Sequence, residues 1–448
     1  MRRSGGTFCP TSDRSGLTAR TEISRRDVLT GLAAATAFLA APQSKAATPD
    51  AGVYFIPGYR PDLAYFEGQP LTQHPAFTAN IPPTSDGSAS LLTRIDGATS
   101  AVTRALMPIS GHSITIRPDR RGTIFNSFNG ANFIAFDPDS LEIDRNLAHD
   151  PGFIGAGHAV YAADNGPLVA LERRALMPFA GRVPDHYGRL LLRDPDTLAP
   201  IEAYSCHGLA PHEVTLTADG RHAVIANYGE AGWPDGGNHD GLPFLVQPSL
   251  TVIELAGGKL VHRVANEDLR YEVRHVAAHA LDRVYAIQAR VTRFDESQGT
   301  MADWRGVYEP DVWSAGPALG YLPAPVRRYG LAGDTPVVSD AIADDTTLMR
   351  YGQTIVYDPI HDEAIASFPT RHCVIVFDGR DGHVRRVIRT EGFGLRQPRG
   401  IAFHPDGLRY AVSGYWNDIA LLERGSHQLD RDSTIYTTLF GHSHMTLM

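Results

Sequence analysis

The chain has 448 residues and a formal net charge of −9, with 41 basic against 50 acidic residues. This balance argues against nucleic acid or an anionic membrane as a partner. The motifs C-x-x-C-H, C-x-x-C, H-E-x-x-H and G-x-S-x-G do not occur, which excludes covalent haem attachment and the common metalloprotease and serine-hydrolase signatures.

The first 46 residues are predicted to be an export signal and not part of the fold. Arg25 and Arg26 form a twin-arginine pair, and the apolar residues 31–41 that follow are too few to span a bilayer. Small residues around Ala46 suit a signal peptidase. We therefore expect export by the Tat pathway to the periplasm, with no membrane span in the mature chain.

Removal of this signal changes the charge and the cysteine content. The signal contains seven of the basic and three of the acidic residues, so the mature chain is expected to have a charge of about −13. This negative charge is compatible with the binding of cations. Cys206 and Cys373 remain. They are either a disulfide of an oxidising compartment or two free buried thiols.

The rest of the chain is predicted to be all-β and repetitive. Short β-branched runs alternate with Asp-Pro, Asp-Gly and Asn-Gly turns, and the chain holds 43 Gly and 31 Pro. Segments that begin at His112, His212, His275 and Arg399 each have an Asp seven positions later, and looser copies begin at His158 and Gln353. Each is followed by further strands, at periods of about 43 to 78 residues. Four strands per unit at such a period indicate β-propeller blades, with a pair of β-sandwiches as the alternative.

The two ends of the chain are predicted to share a seventh blade. Gly441-His442-Ser443 repeats Gly111-His112-Ser113, so the C-terminus is expected to supply an innermost strand. Its partners would be residues 52–57, 90–95 and 102–107, and the pairing would hide strand edges. The prediction is a signal at 1–46 and one seven-bladed β-propeller at 47–448.

Histidine dominates the first position of the predicted inner strands. The seven positions hold His112, His158, His212, His275, Gln353, Arg399 and His442. With 19 His in 448 residues, chance predicts about 0.3 histidine in seven positions, whereas five occur. Neutral imidazoles that converge from separate rigid strands suit copper, iron or zinc. With the neighbouring His207, the candidate metal ligands are His112, His158, His207, His212, His275 and His442, and Glu213 beside them could orient a ligand or transfer a proton.

Other interpretations of the same positions remain open. The channel could be lined by solvated histidines, or it could hold an organic or anionic ligand with Arg399. At the level of function, the alternatives are a metal-free interaction scaffold and a small-molecule hydrolase or lactonase, although no carboxylate cluster accompanies the histidines. Residues 228–248 are a candidate lid, and residues 295–348 are predicted to be an insertion. No catalytic residue is predicted.

Several motifs resemble those of a family of bacterial Tat-exported seven-bladed propellers catalogued as a domain of unknown function. They lie between about residues 107 and 294, and they are Gly157-His158, His207 with His212-Glu213, Ala226-Asn227, Pro248 and Val273-Arg274-His275. Members of that family are found near imelysin-type and di-haem cytochrome-like proteins of iron uptake. The resemblance thus implies periplasmic handling of iron or copper, with iron-uptake proteins as partners.

A more distant likeness is to the propeller of nitrous-oxide reductase, which gathers histidines around a copper cluster. The paired-His motif and the second copper domain of that enzyme are absent from this sequence, so the likeness does not imply its activity.

Overall fold

The computed structural model describes residues 52–58, 65–66, 69–70, 90–174, 187–232, 244–266, 271–290, 294–295, 300–301, 324–414, 417–438 and 444–448. The predicted export signal and His442 lie outside these residues, as do the central parts of the two predicted loop segments.

The described residues are mainly β-strands. The strands are β1 (Val53–Pro57), β2 (Tyr65–Phe66), β3 (Gln69–Pro70), β4 (Ser90–Asp96), β5 (Val102–Met107), β6 (Gly111–Ile116), β7 (Thr123–Ser127), β8 (Asn132–Phe136), β9 (Ile143–Ala148), β10 (Phe153–Tyr161), β11 (Leu168–Arg174), β12 (Gly188–Arg193), β13 (Pro200–Ser205), β14 (Pro211–Leu216), β15 (His222–Asn227), β16 (Glu230–Gly232), β17 (Phe244–Val246), β18 (Ser249–Glu254), β19 (Lys259–Ala265), β20 (Tyr271–Ala278), β21 (Val284–Arg290), β22 (Phe294–Asp295), β23 (Thr300–Met301), β24 (Val326–Gly330), β25 (Val337–Ala341), β26 (Ile355–Asp358), β27 (Glu363–Phe368), β28 (Cys373–Asp378), β29 (Val384–Arg389), β30 (Ile401–Phe403), β31 (Arg409–Ser413), β32 (Asn417–Glu423), β33 (Leu429–Thr438) and β34 (Thr446–Leu447). Short 3₁₀ turns lie at Ala163–Asn165, Thr346–Leu348, Pro369–Arg371 and Thr390–Phe393.

Seven four-stranded antiparallel sheets form the blades of a β-propeller, as the sequence predicts. In chain order of their inner strands they are β6-β7-β8-β9, β10-β11-β12-β13, β14-β15-β18-β19, β20-β21-β24-β25, β26-β27-β28-β29, β30-β31-β32-β33 and β34-β1-β4-β5. The inner strands contact one another in this order, and β34 contacts both β30 and β6. The ring is therefore closed around a central channel. Additional two-stranded hairpins are β2-β3, β16-β17 and β22-β23.

The closing blade combines both ends of the chain, as predicted. In the innermost pair, Leu447 lies opposite Tyr54 and Thr446 opposite Phe55, and β1 then pairs with β4 and β4 with β5. The fit is tight, because a Cβ added to Gly52 would lie 2.5 Å from Leu447 Cδ1. A strand of two residues thus covers the inner edge of a sheet built from the other end of the chain.

The core is divided among the seven interfaces between neighbouring blades, and each interface contains an apolar cluster. Between the closing blade and the next, for example, Phe55 packs edge to face on Phe136 with ring centroids 6.0 Å apart. Burial of these side chains is the main term that holds rigid blades in a fixed ring.

The fourth blade, β20-β21-β24-β25, differs from the sequence prediction. Residues 295–348 are not wholly an insertion, since β24 and β25 within them are the third and fourth strands of this blade. Three of the five residues of β25, namely Val337, Val338 and Asp340, are exposed, so this strand lacks the buried run on which the prediction was based.

Cys206 and Cys373 are free and buried. Cys206 lies in the interface of the second and third blades and Cys373 in that of the fourth and fifth. Burial raises the pKa of both thiols, that of Cys373 to about 12, so they act as small apolar side chains. Among the described residues, no helix is long and apolar enough to cross a membrane.

Candidate metal centre

Irregular pairing of the inner strands positions the candidate histidines. Register shifts occur between Gly111 and Ser113 in β6 and between Pro211 and Glu213 in β14, so His112 and His212 are the extra residues of two bulges. Similar shifts accompany His158 in β10 and His275 in β20. A bulge bends its strand and redirects the side chain, which here turns the imidazoles of four blades towards one another.

Gly157 allows two of these rings to approach. Its φ is +111°, and a Cβ at this position would lie 2.8 Å from His112 Cδ2 and 3.1 Å from His212 Cε1. Any other residue would be strained in this backbone conformation and would also press on the rings.

The resulting cluster contains five imidazoles, four from the inner strands and one, His444, from just before β34. The ring centroid of His158 lies 4.5 Å from that of His444, 5.0 Å from those of His112 and His212, and 5.4 Å from that of His275. Two groups of three have ligand nitrogens within 4.8 Å of one another, namely His112, His158 and His444, and His158, His212 and His275. His158 belongs to both groups.

Neighbouring groups fix the outer nitrogen of four rings. His212 Nδ1 lies 2.9 Å from the carbonyl oxygen of Ala156, and His275 Nδ1 lies 3.1 Å from Glu213 Oε2. Oxygens of a carbonyl and a carboxylate only accept hydrogen bonds, so both Nδ1 atoms donate and the Nε2 atoms keep their lone pairs. His158 Nδ1 is 3.5 Å from Glu213 Oε1, and His444 Nδ1 is 3.3 Å from Thr354 Oγ1.

The inner nitrogens are buried without compensation. Nε2 of His158, His212 and His444 makes no hydrogen bond within the described residues. A buried polar atom without a partner is unfavourable, and a metal ion would use these lone pairs. Outer nitrogens held by carboxylate or carbonyl and inner nitrogens left for the ion are the arrangement typical of metal-binding histidines.

Burial also keeps these imidazoles neutral. It lowers the pKa of His158 to about 4 and the pKa values of His212, His275 and His444 well below the usual range. Neighbouring imidazoles, Arg274 and Arg399 add to these shifts. Burial raises the pKa of Glu213, although its Oε2 also accepts the backbone N–H of Val276 at 2.8 Å. At neutral pH the cluster is therefore in the form that binds metal ions.

Aromatic rings pack against one side of the cluster. Tyr228 stacks on His212 at a centroid distance of 4.4 Å, and Phe128 lies 5.2 Å from His112. Arg173 lies over Phe128, and Arg274 lies over Tyr228.

The other side of the cluster faces the central channel. A cavity of about 350 Å³ is lined by residues from the inner strands of all seven blades, and His158, Glu213 and His444 belong to its lining. Small-molecule sites commonly have this size.

The structure thus brings together His112, His158, His212 and His275 from the predicted set. His207 is exposed and belongs to neither group of three. Its backbone is left-handed, with φ 51°, and its N–H donates to Ser205 Oγ. The placement of His442 lies outside the described residues. Gln353 and Arg399, at the two remaining first positions, are buried.

Sequence reasoning missed His444. The segment His442-Ser443-His444 offers two histidines that point to the same side of an extended strand, so alternation alone does not choose between them. The pairing of Leu447 with Tyr54 would have been needed to set the register.

Fold and cluster together define a seven-bladed β-propeller with a buried polyhistidine site. Residues 105–304, somewhat less than half of the chain, match the family described as "Protein of unknown function (DUF1513)". This range contains His112, His158, His212 and His275. No curated protein matches the chain.

Several solved structures are similar in fold. Kuenenia stuttgartiensis hydrazine synthase superposes with a TM-score of 0.51 at 14% identity over 84% of this chain and 99% of that one. The dihydro-heme d1 dehydrogenase NirN in complex with DHE gives 0.49 at 12% identity over 92% and 78%. A functionally unknown protein from Desulfotomaculum acetoxidans DSM 771 gives 0.42 at 14% identity over 67% and 75%. At 14% identity the likeness to hydrazine synthase concerns the fold alone. The TM-scores of the other two structures are below 0.5, so no property of this chain is inferred from them.

Proposed function

We propose that this protein binds a copper, iron or zinc ion at the five-histidine cluster and acts in the acquisition or handling of iron or copper. The observation that carries the proposal is the set of buried Nε2 atoms of His158, His212 and His444, which make no hydrogen bond within the described residues and face neighbouring imidazoles. Nitrogen donors of this kind favour borderline transition metals over Mg²⁺ or Ca²⁺, which prefer oxygen.

Replacement of His212 by Asn tests this proposal. The Asn amide can still donate to the carbonyl of Ala156, but the substitution removes the Nε2 atom that His212 contributes to the group with His158 and His275. We expect the affinity for the preferred ion to fall about 10- to 1000-fold. The measurement is titration of chelator-treated protein with copper, iron and zinc, together with the metal content of freshly purified protein.

His262→Ala is the matched control, because this imidazole lies on the outer strand β19 and bonds to the carbonyl of Leu331. It should bind metal as the wild type does. Unchanged affinity in His212→Asn would exclude His212 as a ligand, and a wild type that takes up none of the three ions would leave a metal-free interaction scaffold as the better interpretation.

The proposal also places the protein in the periplasm, with iron-uptake proteins as partners. Support comes from Arg25 and Arg26 before the apolar residues 31–41 and from the family resemblance. Because lysine does not reproduce the guanidinium pair, the double variant Arg25→Lys, Arg26→Lys should stay in the cytoplasm with its signal uncleaved. Cell fractionation measures this, and normal periplasmic processing of the variant would contradict Tat export.

A further inference from the structure

We infer that a metal ion in this cluster keeps one coordination position open to the central channel and that this position takes a small anion. The inference rests on the proposed metal site and specifies what the bound ion does there. It follows from which histidines face the channel, how many of them can act together, and the charge that surrounds them.

The histidines differ in their distance from the channel. His212 and His275 are 0% and 3% exposed and lie behind the others, whereas His158 and His444 are each 8% exposed and line the cavity. Tyr228 and Phe128 pack against the opposite side of the cluster. An ion bound between these layers therefore has protein on one side and the channel on the other.

The number of histidine nitrogens that can bind one ion leaves one of its coordination positions unfilled. Each group whose ligand atoms lie within 4.8 Å of one another contains three histidines, and His158 is shared between the two groups. Three protein ligands and one open position are the arrangement of catalytic metal sites, while structural sites are closed by four. The cavity of about 350 Å³ beside His158 provides space for the fourth ligand.

Charge selects the kind of ligand. The imidazoles are neutral, and Glu213 is the acidic side chain that the structure places in contact with them, at His158 and His275. One carboxylate leaves a divalent ion with excess positive charge in a poorly solvated site, and an anionic ligand would neutralise it. The class of ligand is thus a small anion that coordinates through a lone pair, and the channel is its route.

The test uses the full mature chain loaded with Cu²⁺ and titrated with sodium azide. Azide bound directly to Cu²⁺ gives a charge-transfer absorption band, so we expect a saturable band with one azide per bound copper. Glu213→Gln, measured at saturating copper, should bind azide at least about tenfold more tightly because it removes the compensating negative charge. Glu142→Gln, at an exposed position on the edge of the first blade, should bind azide as the wild type does.

The outcomes separate the two proposals. Copper-loaded protein without an azide band, or a Glu213→Gln variant with unchanged or weaker azide binding, overturns the open position or its anion preference and leaves the metal site intact. Protein that takes up no copper, iron or zinc overturns both.

Discussion

A chain that lacks residues 440–448 should fail to form a stable propeller. The deletion removes β34, which pairs with β1, and Met445, which is buried between the closing blade and its neighbour. The inner edge of β1 would then be unpaired, and the apolar faces of two blades would lose a covering side chain. We expect little soluble protein and no cooperative thermal unfolding.

The full-length variant His444→Asn is the control for this deletion. It removes the imidazole but keeps the strand, so it should remain soluble and unfold cooperatively. A truncated chain with the melting temperature of the wild type would show that the ring does not depend on its C-terminal strand.

Metal-free protein should lose stability as the pH falls from about 6.5 to about 4. The pKa of His158 is lowered to about 4, against about 6.5 in an unfolded chain. Between these values the unfolded chain binds a proton that the folded protein excludes, so the free energy of unfolding decreases with decreasing pH. For His158 alone the loss is roughly 3 kcal/mol. His212, His275 and His444 shift in the same direction.

Glu213 acts in the opposite sense, because its raised pKa favours the folded state as it becomes protonated, but it is one group against four. Carboxylates with lowered pKa values, such as Glu172 and Asp358 at about 2, lose their stabilising contribution mainly below about pH 4.5, so the upper part of the window reports on the histidines. Urea unfolding across the window is the measurement. His158→Gln should flatten the slope, while His383→Gln, at an exposed site, should not. A free energy of unfolding that is constant between about pH 6.5 and 4.5 would refute the burial of neutral histidines.

The propeller could be predicted from the sequence because the residues that define each repeat lie close together in the chain. His112, His212 and His275 begin inner strands, and an Asp seven positions later begins the turn. The same spacing predicts that these three side chains lie at one end of the channel. Regular blades then follow from strand alternation and turn residues.

The finer geometry depends on contacts that no local pattern encodes. Glu213 joins His158 and His275 because three inner strands meet around one axis, and the spacing between blades does not appear in the sequence. The bulges that turn the imidazoles inward shift the pairing by one residue, which a period of two does not reveal. The role of Gly157 likewise depends on how closely rings from two other blades approach it.

Because β34 closes the ring, the histidine cluster depends on the C-terminal strand of the chain. His112 and His444 are separated by most of the chain, yet their ring centroids lie 5.0 Å apart. The first six inner strands are synthesised before β34, so His444 is the last of the five histidines to be made. A chain that terminates before His444, or one that a protease cleaves there, loses this imidazole and the closing strand together. A metal site that includes His444 would therefore form only in a molecule whose closing strand is in place.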